Sequence, residues 1–276
     1  MGQYEDLCRI DVIPVIKQMG LEMDWEGKVR VVPRLNLDHV WIESGLCENR
    51  KCTLWLNVFF SHFSLLPKQC MGCWKIFYQM DSVRELWRVH KLQQSGDGTE
   101  LVSKCGIEAR PFTGKLGNYM AFWYNPLGCG LEEARENLKK VHKAVGNRNA
   151  QLKRGCTEME IYSKQRFGAP SDRWDELKTP QADLLQELLE STFVLDDAKI
   201  GERTPTALRV NIIKRWIHYA MEHGDKTYLD FVDAPLVPSL VLYGNSIHRE
   251  EDYGPAKSKA EGGASCKQES VICSVA

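Results

Sequence analysis

The chain has no long apolar run. Its most hydrophobic stretch, Leu54 to Leu66, is broken by Asn57, Ser61, His62 and Ser64, short of the roughly 18–20 continuous apolar residues that a membrane-spanning helix needs. The opening MGQYEDLCRI lacks a basic segment followed by an apolar one, so no export signal is expected and the cysteines should stay reduced in the cytoplasm. Charge of one sign is lacking too. Lys and Arg number 36 against 37 Asp and Glu, which removes any general electrostatic case for a polyanion or a membrane surface. P-loop, HExxH, serine nucleophile-elbow and kinase signatures are missing, as is the C-x3-C-x2-C spacing of radical-SAM enzymes. Met1-Gly2 is followed by Asp6 rather than Ser or Thr, which argues against N-myristoylation.

What the chain does have is cysteine, ten in 276 residues. Cys47 and Cys52 form one close pair, and Cys70 and Cys73 a second. Two such pairs brought together by a loop can supply four thiolates to a tetrahedral ion, and zinc is the first expectation for this quartet. The spacer carries Leu54, Trp55, Leu56, Val58, Phe59, Phe60 and Phe63, more apolar than a zinc-ribbon loop usually is. An iron–sulfur cluster is therefore the alternative. Without any metal, the same cysteines would be small buried hydrophobes.

Downstream, the pattern alternates between strand and helix. Trp74 to Met80 is rich in aromatic and β-branched residues and reads as a strand. Ser82 with Glu85 is a capping box opening a helix that Gly96-Asp97-Gly98 closes. Leu101 to Pro111 and Asn118 to Tyr124 read as a second and third strand, and Leu131 to Val145 as a second helix. That helix has Glu132, Glu133 and Glu136 early and Lys139, Lys140 and Lys143 late, as the macrodipole favours. Gln151 to Ser163 reads as a fourth strand. The order strand–helix–strand–strand–helix–strand predicts an α+β domain with a ferredoxin-like antiparallel sheet. The expected organisation is a lead-in over 1–46, a four-cysteine element over 47–73, the ferredoxin-like domain over 74–165, a helical subdomain over 166–247 and a disordered tail over 248–276. Thr179-Pro180 and Thr204-Pro205 each pair an N-cap with proline at the first helical position, opening the two helices of the fourth segment.

Three constellations carry possible chemistry. If 151–163 is a strand, Cys156, Glu158 and Glu160 share a face, where the two carboxylates beside a thiol could act as acid and base or bind a cation, or simply keep a solvated edge strand soluble. Cys129, between Gly128 and Gly130 just before a helix, could be an activated thiol or only a tight turn. The stretch Gly117 to Tyr124 on the third strand partly matches the RNP1 pattern of RNA-recognition sheets, with the basic residue displaced to Lys115. Tyr119 and Trp123 are then candidate contacts for a base, with Lys153 and Arg154 for phosphate. At the extreme terminus, Cys273-Ser-Val-Ala276 fits the prenylation form without a polybasic run to support it. The leading expectation is a zinc-containing protein whose sheet face binds nucleic acid or a nucleotide. The rivals are an enzyme built on Cys156, Glu158 and Glu160, with or without an iron–sulfur cluster, and a protein-interaction module.

Overall fold

The protein is described by a computed structural model that covers residues 7–32, 40–44, 51–108, 118–146, 149–196, 204 and 206–235. All belong to one compact unit; a second unit, 237–276, lies outside the described residues, as does the tail with Cys273. Helix α1 (Ile13–Met19) carries Pro14 in its first turn, where a proline removes only an amide that has no helical partner anyway. Gly20 ends it in the left-handed conformation. Strand β1 (Val29–Val31) and strand β2 (Trp41–Glu43) follow.

The apolar spacer between the cysteine pairs is helical. Short α2 (Cys52–Leu54) runs into a π-helical stretch (Trp55–Phe60) and then α3 (Ser61–Phe63), where Ser64 adopts a left-handed backbone. Helix α4 (Lys68–Met71) leads to strand β3 (Trp74–Met80). The capping box forms as its spacing predicts: the Ser82 hydroxyl accepts from the Glu85 amide and opens α5 (Val83–Ser95). Strands β4 (Val102–Ile107) and β5 (Tyr119–Tyr124), helix α6 (Leu131–Val145) and strand β6 (Gln151–Arg154) come next.

Here the structure departs from the expected fourth strand. It stops at Arg154, Gly155 turns the chain with φ +69°, and helix α7 (Thr157–Phe167) begins. Glu158 and Glu160 favour the first turn of a helix at least as well as a strand, and the glycine decides between them. Helix α8 (Pro180–Thr192) is capped by the Thr179 hydroxyl, strand β7 (Phe193–Leu195) pairs in parallel with β1, and α9 (Thr206–Glu222) is the last long helix among the described residues.

The main sheet is antiparallel, in the order β2-β4-β5-β3-β6. Ile42, Ile76, Tyr78, Met80, Cys105, Ile107, Tyr119, Ala121 and Trp123 form its apolar face and pack with Val83, Leu86 and Val89 of α5, Val141 and Val145 of α6, and Ile212, Trp216 and Ala220 of α9. A second core joins α1 and β1 to the 54–71 region, Met159, Trp174, α8 and β7. The helices expected as one C-terminal appendage are therefore divided: α8 packs into one core and α9 into the other.

The α5–α9 seam holds a buried histidine. His90 lies between Trp87 and Trp216, and its Nδ1 is buried without a hydrogen-bond partner among the described residues. Burial, reinforced by the Arg209 guanidinium, lowers its pKa to about 4. A base held neutral in the fold loses stability where the unfolded chain takes up a proton first, so the loss sets in below pH ~6.5 and is complete near pH ~4. Urea unfolding should show about 2 kcal/mol of lost stability across that window. His90→Phe, which keeps the ring contacts, should remove that part of the pH dependence; an unchanged profile in the variant would show that His90 is not its source.

Candidate functional site

Opposite the helices, the sheet presents a second face, and the register fixes what stands on it. One row across the strands reads Lys153, Lys75, Tyr124 and Val102. The next reads Gln151, Phe77, Phe122, Lys104 and Glu43. A third adds Gln79, Met120, Gly106 and Trp41. Lysines and aromatics are thus interleaved. Lys75 Nζ lies 5.3 Å from the Phe122 ring centroid, and Lys104 Nζ 4.8 Å from that of Trp41, with Phe122 and Tyr124 close by.

Two of these cations are partnered. Lys153 pairs with Glu160 and donates to Thr157 Oγ1 at 3.1 Å. Burial opposes the charge on Lys104, yet Tyr124 and Glu43 hold its pKa above the ordinary value, while burial pushes the Tyr124 phenol up to about 12. Lys75 differs. It is 6 % exposed, directly opposite Lys153, and forms no ion pair with a carboxylate among the described residues. Burial lowers its pKa, against the favourable charges of Cys156, Cys73 and Glu158; Lys104 adds to the lowering.

The end of the β3–β6 ladder brings the cysteines into this face. Trp74 pairs with Arg154, and one step further the Gly155 amide donates to the Cys73 carbonyl at 2.7 Å. Gly155 also backs onto Trp174, whose ring would stand 2.2 Å from an added Cβ. Neither the left-handed φ nor the space tolerates a side chain there. The turn delivers Cys156 as the residue preceding α7, beside Cys73 and Lys75. Burial raises the Cys156 thiol's pKa, while Lys75 and the Met159 amide pull it back.

The expected Cys156, Glu158, Glu160 face is not formed, because these residues lie at a helix start rather than on a strand. Glu158 acts on Lys75 and Cys156, whereas Glu160 turns to Lys153 and accepts from Ser171 Oγ at 3.3 Å. Tyr119 and Trp123 point to the helices, fully buried: the Tyr119 hydroxyl donates to Asp225 at 2.8 Å and the Trp123 indole to Asp97 at 2.5 Å. The alternation of β5 therefore gives the other face to Met120, Phe122 and Tyr124. At Cys129, burial and then Glu133 push the thiol's pKa up to about 11, the direction opposite to activation. Of the cysteine quartet, Cys47 lies outside the described residues, Cys52 is exposed at the start of α2, and Cys70 and Cys73 flank a single turn, the Cys73 amide donating to the Cys70 carbonyl at 3.2 Å. Among the described residues, no three His, Cys, Asp or Glu side chains gather closely enough to hold a metal ion.

Arg154 has a role its sequence position did not reveal. Its guanidinium donates to the Met71 carbonyl at 2.6 Å and the Ser171 carbonyl at 3.1 Å, pairs with Asp175 at 2.9 Å, and lies over Trp74. Arg154 and then Lys178 hold the Asp175 carboxyl down to about 2. An open cleft of about 710 Å³ runs along this edge, lined by Trp74, Phe77, Leu152, Lys153, Arg154 and Asp175 among others. No protein-family model, curated protein or solved structure matches the chain.

Because Arg154 satisfies carbonyls from two separate segments, Arg154→Met should cost about 2–4 kcal/mol of stability through unpaired acceptors and lost packing. Urea denaturation checks this; a variant as stable as the parent would return Arg154 to the role of a surface contact.

Proposed function

We propose that the protein binds a ligand carrying both phosphate and a planar base, a nucleotide or single-stranded nucleic acid, on the face of its sheet turned away from α5, α6 and α9. The observation that carries this reading is the cross-strand placement of Lys153, Lys75 and Lys104 among Phe77, Phe122, Tyr124 and Trp41. Like charges set directly opposite on neighbouring strands repel, and an anion between them relieves the repulsion. Aromatic rings interleaved with cations are the usual platform for stacking bases while neutralising phosphate. Lys153 and, through the adjoining cleft, Arg154 remain part of this reading, whereas Tyr119 and Trp123 give way to Phe77 and Tyr124.

The scaffold in this proposal is a ferredoxin-like unit made of β6, β3, β5 and β4 with α5 and α6, extended by β2 at one edge. The sheet order and all-antiparallel pairing support it. A structural zinc ion held by cysteines of the 47–73 region accompanies it in this reading, an iron–sulfur cluster being the alternative. An enzymatic reading is favoured by one contact: Cys156 stands beside Lys75 and Glu158 at the start of a helix. In that version Cys156 is the nucleophile and Glu158 the proton carrier, and Glu160 only orients Lys153.

Fluorescence anisotropy with a labelled oligonucleotide, with adenosine diphosphate as competitor, tests the binding reading. Binding should weaken as salt rises, and Lys104→Met should lower affinity by about five- to tenfold while flattening the salt slope. Competition by the mononucleotide identifies a nucleotide site; retention of the oligonucleotide alone identifies a nucleic-acid site. Absence of both at about 50 mM salt would remove the proposal. Elemental analysis of freshly purified protein should find zinc, whereas a brown preparation containing iron and sulfide would select the cluster.

A further inference from the structure

Three buried side-chain nitrogens have no hydrogen-bond partner among the described residues: Trp55 Nε1, His90 Nδ1 and Gln79 Nε2. Trp55 belongs to one apolar core, and His90 lies between Trp87 and Trp216 on the α5–α9 seam. Gln79 is placed differently. Ile76, Tyr78 and Met80 of β3 meet the helices, so alternation puts Gln79 on the opposite face with Lys75, Phe77, Phe122 and Lys104. Its neighbours there are Phe77, two residues back along β3, and Met120 directly opposite, with Gly106 beyond. None of these side chains offers an oxygen to the amide. A buried donor left unpaired costs stability, and a ligand that brings an acceptor removes that cost.

We propose that Gln79 reads the base of the ligand and that this base is adenine. The proposal deepens the binding reading above and rests on it. Same-face positions along a strand lie about 7 Å apart, so β3 sets three stations in line. Lys75 opposite Lys153 serves phosphate, Phe77 opposite Phe122 serves the ring, and Gln79 serves its edge. Phe77 also lines the open cleft beside Lys153, which gives a base access to its ring. With phosphate held at the lysine station, a ring stacked on Phe77 turns its far edge toward residue 79. A primary carboxamide joins a donor and an acceptor in one plane, and adenine complements both. Nε2 donates to N7 while Oε1 accepts from the exocyclic amine. Guanine sets two acceptors on the same edge and leaves Oε1 against an oxygen. Because the carboxamide is uncharged, it adds discrimination between bases without adding to the salt dependence.

Anisotropy of the full-length protein with labelled oligodeoxyadenylate, and with the same oligomer built from 7-deazaadenine, tests the contact, because the analogue replaces N7 by C–H. The parent should bind the adenine oligomer about tenfold more tightly. Calorimetry with ADP and 7-deaza-ADP makes the same comparison for a mononucleotide, and the pair that binds and discriminates identifies the source of the base. Gln79→Met keeps the side chain's length and removes the carboxamide; it should bind both members of the pair alike, with the parent's salt slope. Should that variant fail to fold, the parent's own preference still decides. A parent that binds adenine and its analogue equally, or a folded Gln79→Met that still prefers adenine, would overturn Gln79 as the reader and leave the lysine and aromatic platform standing. A parent that binds none of these probes at about 50 mM salt would overturn the platform as well.

Discussion

The arrangement around the site depends on one tight constraint, the left-handed turn at Gly155 against the buried ring of Trp174. Had the chain continued as a strand, Cys156, Glu158 and Glu160 would have pointed to one side of an extended edge. The turn instead ends β6 after Arg154 and aims the first turn of α7 at the end of β3. Trp174 is held in turn by its indole, which donates to Ser163 Oγ at 2.7 Å, while that hydroxyl donates to the Ala169 carbonyl at 2.9 Å. A satisfied polar chain inside an apolar core has few alternative geometries, so the position of Cys156 inherits its rigidity.

Polar anchors from distant parts of the chain set the other side of the sheet in a similar way. Asp225, just beyond α9, accepts from the Val83 amide at 2.7 Å and from the Tyr119 hydroxyl at 2.8 Å. One carboxylate thereby closes the start of α5 and fixes a ring of β5. Although burial works against it, bonds from Thr227, the Val83 amide and Tyr119 hold the Asp225 carboxyl below its ordinary pKa. Trp216 of α9 donates to the Val40 carbonyl at 2.8 Å, tying the same helix to the residue before β2. These bonds account for α9 packing on the sheet while α8 goes to the other core.

Much of the local structure was legible from the residues. Ser82 with Glu85, Thr179 with Pro180 and the charge gradient from Glu132 to Lys143 announce helices through interactions a few residues long. The strands 74–80, 102–107 and 119–124 lie within the segments their aromatic and β-branched content marks. The reading went astray where two structures suit the same residues. Segment 157–163 accepts strand or helix, and Tyr119 and Trp123 suit either face of a sheet until the partner layer is known. Arg154 shows the same limit: an arginine after a lysine looks like a basic contact, and only the approach of Met71, Ser171 and Asp175 makes it a brace.

The sequence by itself determined the α+β character of the chain, its helix starts and stops, and the alternation that sends Tyr119, Ala121 and Trp123 one way and Met120, Phe122 and Tyr124 the other. These follow from forces acting over one to four residues: capping bonds, backbone sterics and side-chain periodicity. Tertiary structure alone decided which of those faces meets the helices, and that Lys75 is buried beside Cys73 and Cys156. Those outcomes depend on desolvation and packing between segments some eighty residues apart, and no spacing along the chain encodes them.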